Sequence, residues 1–248
     1  MKETRTLMGM HVTVEVIDKE ITKEVIDSVF KYFEYVDETF SVYKETSEIS
    51  KINRGEITHE EWSKDMKEVF TLAEQTKRQT VGFFDIKRPD GIYDPSGIVK
   101  GWAIQNAADI LKKKGFKNYY VDAGGDVQTS GKNAEGKHWV IGIKSPFKEN
   151  ENVKIVHLSG EGIATSGTYI RGQHIYNPHE KGALEDVLSL TVVGPNIYDA
   201  DRFATAAFAM GRDGILFIEN IQGFEGYMID TDGIGTETNG FAYYTHEK

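Results

Sequence analysis

Cysteine is missing altogether from the 248 residues. That excludes disulfides, thiolate nucleophiles, iron–sulfur ligation and cysteine-zinc sites together, and it leaves the compartment unreadable from redox chemistry. Proline is scarce, at 5 residues, and no Pro/Ser-rich linker, low-complexity tract or internal repeat divides the chain, so a single domain over residues 1–248 is expected. No Lys/Arg run exceeds Lys112-Lys113-Lys114 and the formal net charge is −10, which argues against binding a nucleic-acid backbone. No apolar run approaches the roughly 20 residues of a membrane span, and Met1 to Thr6 is polar rather than signal-like. A cytoplasmic protein without a transmembrane segment is the expectation.

What is present is an ordinary folding composition, 39% hydrophobic and 27% charged. The acidic balance carries one hint: a protein of this charge that handles a phosphate-rich ligand usually needs a cation to offset repulsion. Val12, Val14 and Val16 alternate with polar residues as a half-buried strand does. Ile21, Val25, Ile26, Val29, Phe30, Phe33 and Val36 recur at helical spacing, and Phe40 to Asn53 reads as a connecting segment. Thr58 and Glu61 form a capping-box pattern ahead of a second helix with Met66, Val69, Phe70 and Ala73 on its apolar face, ending near Gly82. A third helix spans about Gly97 to Lys114, with Gly115 as its left-handed cap. From Tyr119 to Val193 short strands dominate. Ala200 to Met210 and Ile215 to Ile221 read as helices, Tyr227 to Ile229 and Phe241 to Tyr244 as closing strands. Without a regular βαβ alternation the class is α+β, a mixed antiparallel sheet with packed helices.

Several segments carry chemistry-bearing residues, each with a plain structural reading beside the functional one. Asp201 and Thr205 lie four apart on one helix face, a spacing that suits one hard cation. Helix-terminus chemistry accounts for the same residues, with Asp199 as cap and Asp201 as a solvent-facing first-turn acid. Asp94 to Ala103 runs from a turn into a helix start, where free amides and Lys100 would receive an anion, or where Pro95 and Gly97 merely begin a helix. Asp122 to Asp126 holds a Gly-Gly turn. Ala164 to Tyr169 offers hydroxyls, but no base is placed by spacing beside Ser166, so a serine hydrolase has no support. His174 stands at a turn, suited to accept a proton near neutral pH or to serve the turn itself.

Taken in order, these segments resemble the ApbE family of FAD:protein FMN transferases. Met8-Gly9-Met10 is similar to its MGT, Phe40 to Asn53 to FSxYxxxSExSxxN, and Gly82-Phe83-Phe84-Asp85 to GxFD. Asp94 to Ala103 resembles DxGGIxKGxA, Ala123 to Asp126 AGGD, Ala164 to Gly167 ATSG, His174 to Pro178 HIxDP, and Ala200 to Thr205 ADxxAT. The resemblance implies Mg²⁺ held by Asp201, Thr205 and the carbonyl of Gly97. It places Met8, Tyr43, Phe83, Phe84, Asp85, Asp94, Lys100 and Tyr176 against FAD, and His174 as proton acceptor. The implied activity is transfer of the FMN moiety of FAD to a Ser/Thr hydroxyl of an acceptor protein, releasing AMP. Alternatives that keep the pocket are a metal-dependent FAD pyrophosphatase and a non-catalytic flavin-binding protein. The segment Ile86 to Tyr93 is shorter than in most relatives, and Asn177 stands where the motif has Asp.

Overall fold

The computed structural model describes residues 1–148, 150–167 and 186–246. The chain begins with a hairpin of β1 (Lys2–Leu7) and β2 (Met10–Val16), continues through α1 (Lys23–Phe40), α2 (Glu48–Asn53), α3 (Lys64–Gln79) and α4 (Ser96–Lys113), and returns as β3 (Tyr119–Ala123) and β4 (Asp126–Ser130). A separate ribbon follows, β5 (Trp139–Lys144) and β6 (Asn152–Leu158). The remainder is β7 (Gly162–Gly167), β8 (Val187–Gly194), α5 (Ile197–Ala209), α6 (Gly214–Glu219), β9 (Glu225–Asp230) and β10 (Gly235–Glu237). Among the described residues the large sheet has the order β1-β2-β3-β4-β7-β8-β9-β10, and every neighbouring pair is antiparallel. The expected α+β class and mixed antiparallel sheet with packed helices are therefore what the chain forms.

Strand alternation distributes the core over the two faces of this sheet. Val12, Val14 and Val16 of β2, Ala164 of β7 and Leu190 and Val192 of β8 face the helices, where Phe30 and Phe33 of α1 and Ile98 and Ile104 of α4 meet them. Each such fully buried large side chain contributes about 1.5–3 kcal/mol by leaving water. The out-of-phase residues Val127, Ile163, Val193, Tyr227 and Ile229 form a second core against Val156 and Leu158 of the ribbon. The sheet is thus two sequence-contiguous halves joined at β4 and β7, where only Val127↔Ile163 and Gln128↔Gly162 are in register.

Local expectations were overturned in four places. A strand, β1, precedes Val12 and pairs with β2 through the turn Met8-Gly9, both residues with positive φ (52° and 71°). The segment Phe40 to Asn53 ends in helix α2, capped by Ser47, whose Oγ accepts from the Ser50 amide at 3.1 Å. The Thr58–Glu61 box exists, but it caps a single 3-10 turn (His59–Glu61), and α3 starts later with Ser63 as its cap. Phe241–Tyr244 is a 3-10 turn that inserts Phe241 into the second core, not a strand. No helix among the described residues is long and apolar enough to cross a membrane.

Candidate active site and cation centre

The centre forms where α4 crosses α5 above the junction of β4 and β7. At Gly101 a side-chain carbon would lie 2.6 Å from Cβ of Asp201 and 2.9 Å from the carbonyl of Ile197, so only glycine permits this approach. The approach lets the Gly101 N–H donate to Oδ2 of Asp201 at 2.7 Å. In a regular helix that amide is directed at the carbonyl of Gly97 four residues back. Gly97 itself packs against Thr205 and Phe84, and Oγ1 of Thr205 lies 3.4 Å from its carbonyl oxygen. Ser166 of β7 brings its Oγ within 3.4 Å of the same Thr205 hydroxyl.

The start of α5 is fixed from below. Asn196 caps it by accepting from the Asp199 amide, and Gln128 of β4 accepts from the Ile197 amide, both at 2.8 Å. Arg202 points away from the centre, bonded to Asp199 and Gln79. Asp201 and Thr205 are thereby turned towards α4. Asp201 is 2% exposed, contrary to the solvent-facing position expected from the sequence, because helix α4, a hundred residues away in the chain, covers it.

Two further charges complete the arrangement. Asp126, at the first position of β4, accepts from the Thr165 amide at 3.0 Å through Oδ1, and its Oδ2 lies 2.5 Å from Nζ of Lys100. The same ammonium is 3.5 Å from Oδ1 of Asp201. Lys100 is therefore engaged by two carboxylates. Burial pushes the Asp201 carboxyl up to about 7, the Lys100 ammonium pulls it down, and the neighbouring Asp126 raises it again. Asp122 is likewise raised, chiefly by burial, against the hydrogen bond it accepts from Gly125.

Other residues of the expected site fall around this centre in different degrees. Asp94 precedes α4, whose N-cap is Pro95, and accepts from the Ser96 amide at 3.1 Å in the turn that leads into it. Asn53 pins the preceding residue, bonding both the carbonyl and the amide of Tyr93. Phe84 is buried against Gly97, and Phe83 is half-buried beside it. Asp85 bonds Lys77 at 2.6 Å and the Lys87 amide at 2.8 Å. Met8 sits in the β1–β2 turn; Met10, two residues on at the start of β2, packs on Gly124 at the turn leading into Asp126. Tyr43 stands in solvent at 94% exposure. His174 and Tyr176 lie outside the described residues. Asp126 and Ser166 are not among the site residues expected from the sequence. Their only signal was membership of the AGGD and ATSG blocks, since burial beside Lys100 or Thr205 is a tertiary property.

One carboxylate, one hydroxyl and one carbonyl form a hard-oxygen donor set, the kind Mg²⁺ takes when substrate phosphates supply the remaining ligands. The residues present fit such an ion.

Against known proteins, a profile of the ApbE family matches residues 8–90 and 87–228. The chain is 31% identical over 160 residues to the FAD:protein FMN transferase of Klebsiella pneumoniae, covering 60% of this chain and 46% of the relative. The match thus spans about half the length of that curated relative. In fold, the chain aligns with the flavin transferase ApbE from Vibrio cholerae at a TM-score of 0.85 and 24% identity, over 98% of each chain. Against the ApbE protein from Thermotoga maritima the TM-score is 0.87 at 22% identity, over 100% of this chain and 99% of that one. With motif blocks, profile and fold in agreement along its length, the chain belongs to the ApbE family.

Proposed function

We propose that this protein transfers the FMN moiety of FAD to a Ser or Thr hydroxyl of an acceptor protein, with Mg²⁺ at Asp201, Thr205 and the Gly97 carbonyl. The observation that carries the reading is the convergence of these three donors, buried at Asp201 and half-buried at Gly97 and Thr205, with Lys100 and Asp126 near the start of α4. Support also comes from relatives named FAD:protein FMN transferase.

In the reaction the acceptor oxygen bonds the phosphorus on the FMN side, the bond from that phosphorus to the bridging oxygen breaks, and AMP leaves with that oxygen. Mg²⁺, when bound, neutralises charge building on the diphosphate. Asp126 holds the Lys100 ammonium at the centre, where it faces an anionic substrate. Phe84 closes the apolar side beneath Gly97 and keeps water out. Asp94 orders the first turn of α4 and so sets the direction of the Gly97 carbonyl. His174, assigned through its motif block, takes the hydroxyl proton, an effect worth about 10²–10⁴ in rate.

The test mixes the protein with FAD, Mg²⁺ and candidate acceptor domains and seeks an FMN adduct by mass spectrometry. Release of FMN and AMP without adduct would make it a pyrophosphatase, and binding without turnover a flavin-binding protein.

A further inference from the structure

Three charges meet in the centre, and they are not equivalent. Asp126 is hydrogen-bonded at Oδ1 by the Thr165 amide and ion-paired at Oδ2, 2.5 Å from the Lys100 ammonium. Asp201 is held through Oδ2 by the Gly101 amide and is in side-chain contact with Asp126, while its Oδ1 faces the same ammonium at the longer 3.5 Å. Both carboxylates are almost fully buried, and the ammonium is largely so. Two buried carboxylates beside one another repel strongly unless a cation stands between them.

We propose that Lys100 is the resident counter-ion of this centre. Without a divalent ion its ammonium neutralises Asp201. Entry of the ion trades that contact for the metal, while Asp126 retains the ammonium and leaves it turned towards an anionic diphosphate. Asp126 is on this view a positioning residue for Lys100. The inference rests on the reading of Asp201, Thr205 and Gly97 as a divalent-cation site.

The exchange makes an unusual demand. Removing a cationic side chain should tighten binding of another cation, because the two compete for Asp201 and repel each other at close range. Mn²⁺ is titrated into chelator-treated protein without FAD, and free Mn²⁺ is read by electron paramagnetic resonance. Lys100→Met is expected to bind Mn²⁺ about tenfold more tightly than the parent, although its metal-free melting midpoint falls. Lys100→Arg should restore parental behaviour. Asp126→Asn should bind more weakly, because among the described residues Asp201 then becomes the carboxylate nearest the ammonium.

Should Lys100→Met not fold, the parent decides by itself. Acetylation of Lys100, followed by mass spectrometry, is expected to quicken when Mn²⁺ is added, and an unchanged or slower rate overturns the exchange. Unchanged or weaker Mn²⁺ affinity in a folded Lys100→Met overturns it equally, while loss of binding in Asp201→Asn would leave the cation site standing. Parental protein that binds no Mn²⁺, or binding that survives Asp201→Asn, removes the cation site and this inference with it.

Discussion

Replacing Asp201 by Asn in metal-free protein should stabilise the fold at pH 8 and abolish function together. The amide keeps an oxygen for the Gly101 N–H, now 2.7 Å from Oδ2, so that donor is not orphaned. Lys100 retains Asp126 at 2.5 Å. What disappears is a buried negative charge, on a carboxyl that burial pushes up to about 7. A rise of about three pH units corresponds to roughly 4 kcal/mol of cost for holding the group ionised. The attraction of Lys100 is already contained in that raised value; with part of the gain offset by the new Asn Nδ2 donors placed beside the ammonium, the net gain expected is about 1–3 kcal/mol, or about 3–10 °C in midpoint for a chain of this size.

The sign follows from the raised value. The folded carboxyl holds its proton longer than the unfolded one, so parental stability declines as pH climbs from about 4 to about 7 and levels off above. The variant's advantage should therefore be absent at pH 4, grow across that window and remain at pH 8. The assay is thermal unfolding in chelator across pH 4–8, repeated with Mg²⁺. A variant less stable than the parent at pH 8 without metal would refute the argument from burial. One that still gains stability from Mg²⁺ would refute Asp201 as its ligand.

Three further outcomes follow from other contacts. Gly101→Ala forces α5 away from α4, since the new carbon would lie 2.6 Å from Asp201; it should cost about 1–3 kcal/mol in denaturant titrations and weaken Mn²⁺ binding, and parental values in both would show that the helices adjust freely. His174→Ala should leave FAD affinity in equilibrium dialysis near parental while slowing transfer by about two to four orders of magnitude, with loss of the acid limb of the pH–rate profile; an acid limb that persists assigns the base elsewhere. Asp18 accepts from the Lys117 and Asn118 amides and from Nδ2 of Asn118. Burial tends to raise its carboxyl, but these bonds outweigh it and hold it below its usual value. Asp18→Ala should cost about 1–3 kcal/mol at pH 7, a difference that shrinks as pH falls through the lowered value and the parental carboxylate is protonated.

Legibility from sequence followed the range of the interactions involved. The alternation in β2 and the apolar stripe of α1 are local patterns imposed by one buried face, and both are visible in the residues themselves. Helix α2 has six residues and too little length for periodicity, so only the Ser47 cap marked it. The aromatic residues at Phe241–Tyr244 carry strand propensity, yet the second core takes Phe241 through a 3-10 turn, and packing overrides propensity there. The pairing of Asp201 with Thr205 was legible as a four-residue spacing. The burial of Asp201 was not, because it depends on Gly101 in another helix. Asp126 was visible only as the last letter of a glycine turn, and its partner Lys100 arrives from a different element.

The junction of β4 with β7 makes the centre a property of assembly rather than of either half of the chain. Gly97, Lys100 and Asp126 belong to the first half, Thr165, Ser166, Asp201 and Thr205 to the second. The short ladder between them is extended by side chains, Asp126 receiving the Thr165 amide and Gln128 receiving the Ile197 amide. Expressed as two separate fragments divided between β4 and β7, the chain would leave each fragment with an incomplete set of donors. Divalent-ion affinity would then report complementation, rising only as the fragments rejoin along that seam. A substitution in the second core at Val127 or Ile163, on the opposite face of the same two strands, should disturb this rejoining without touching a single donor atom.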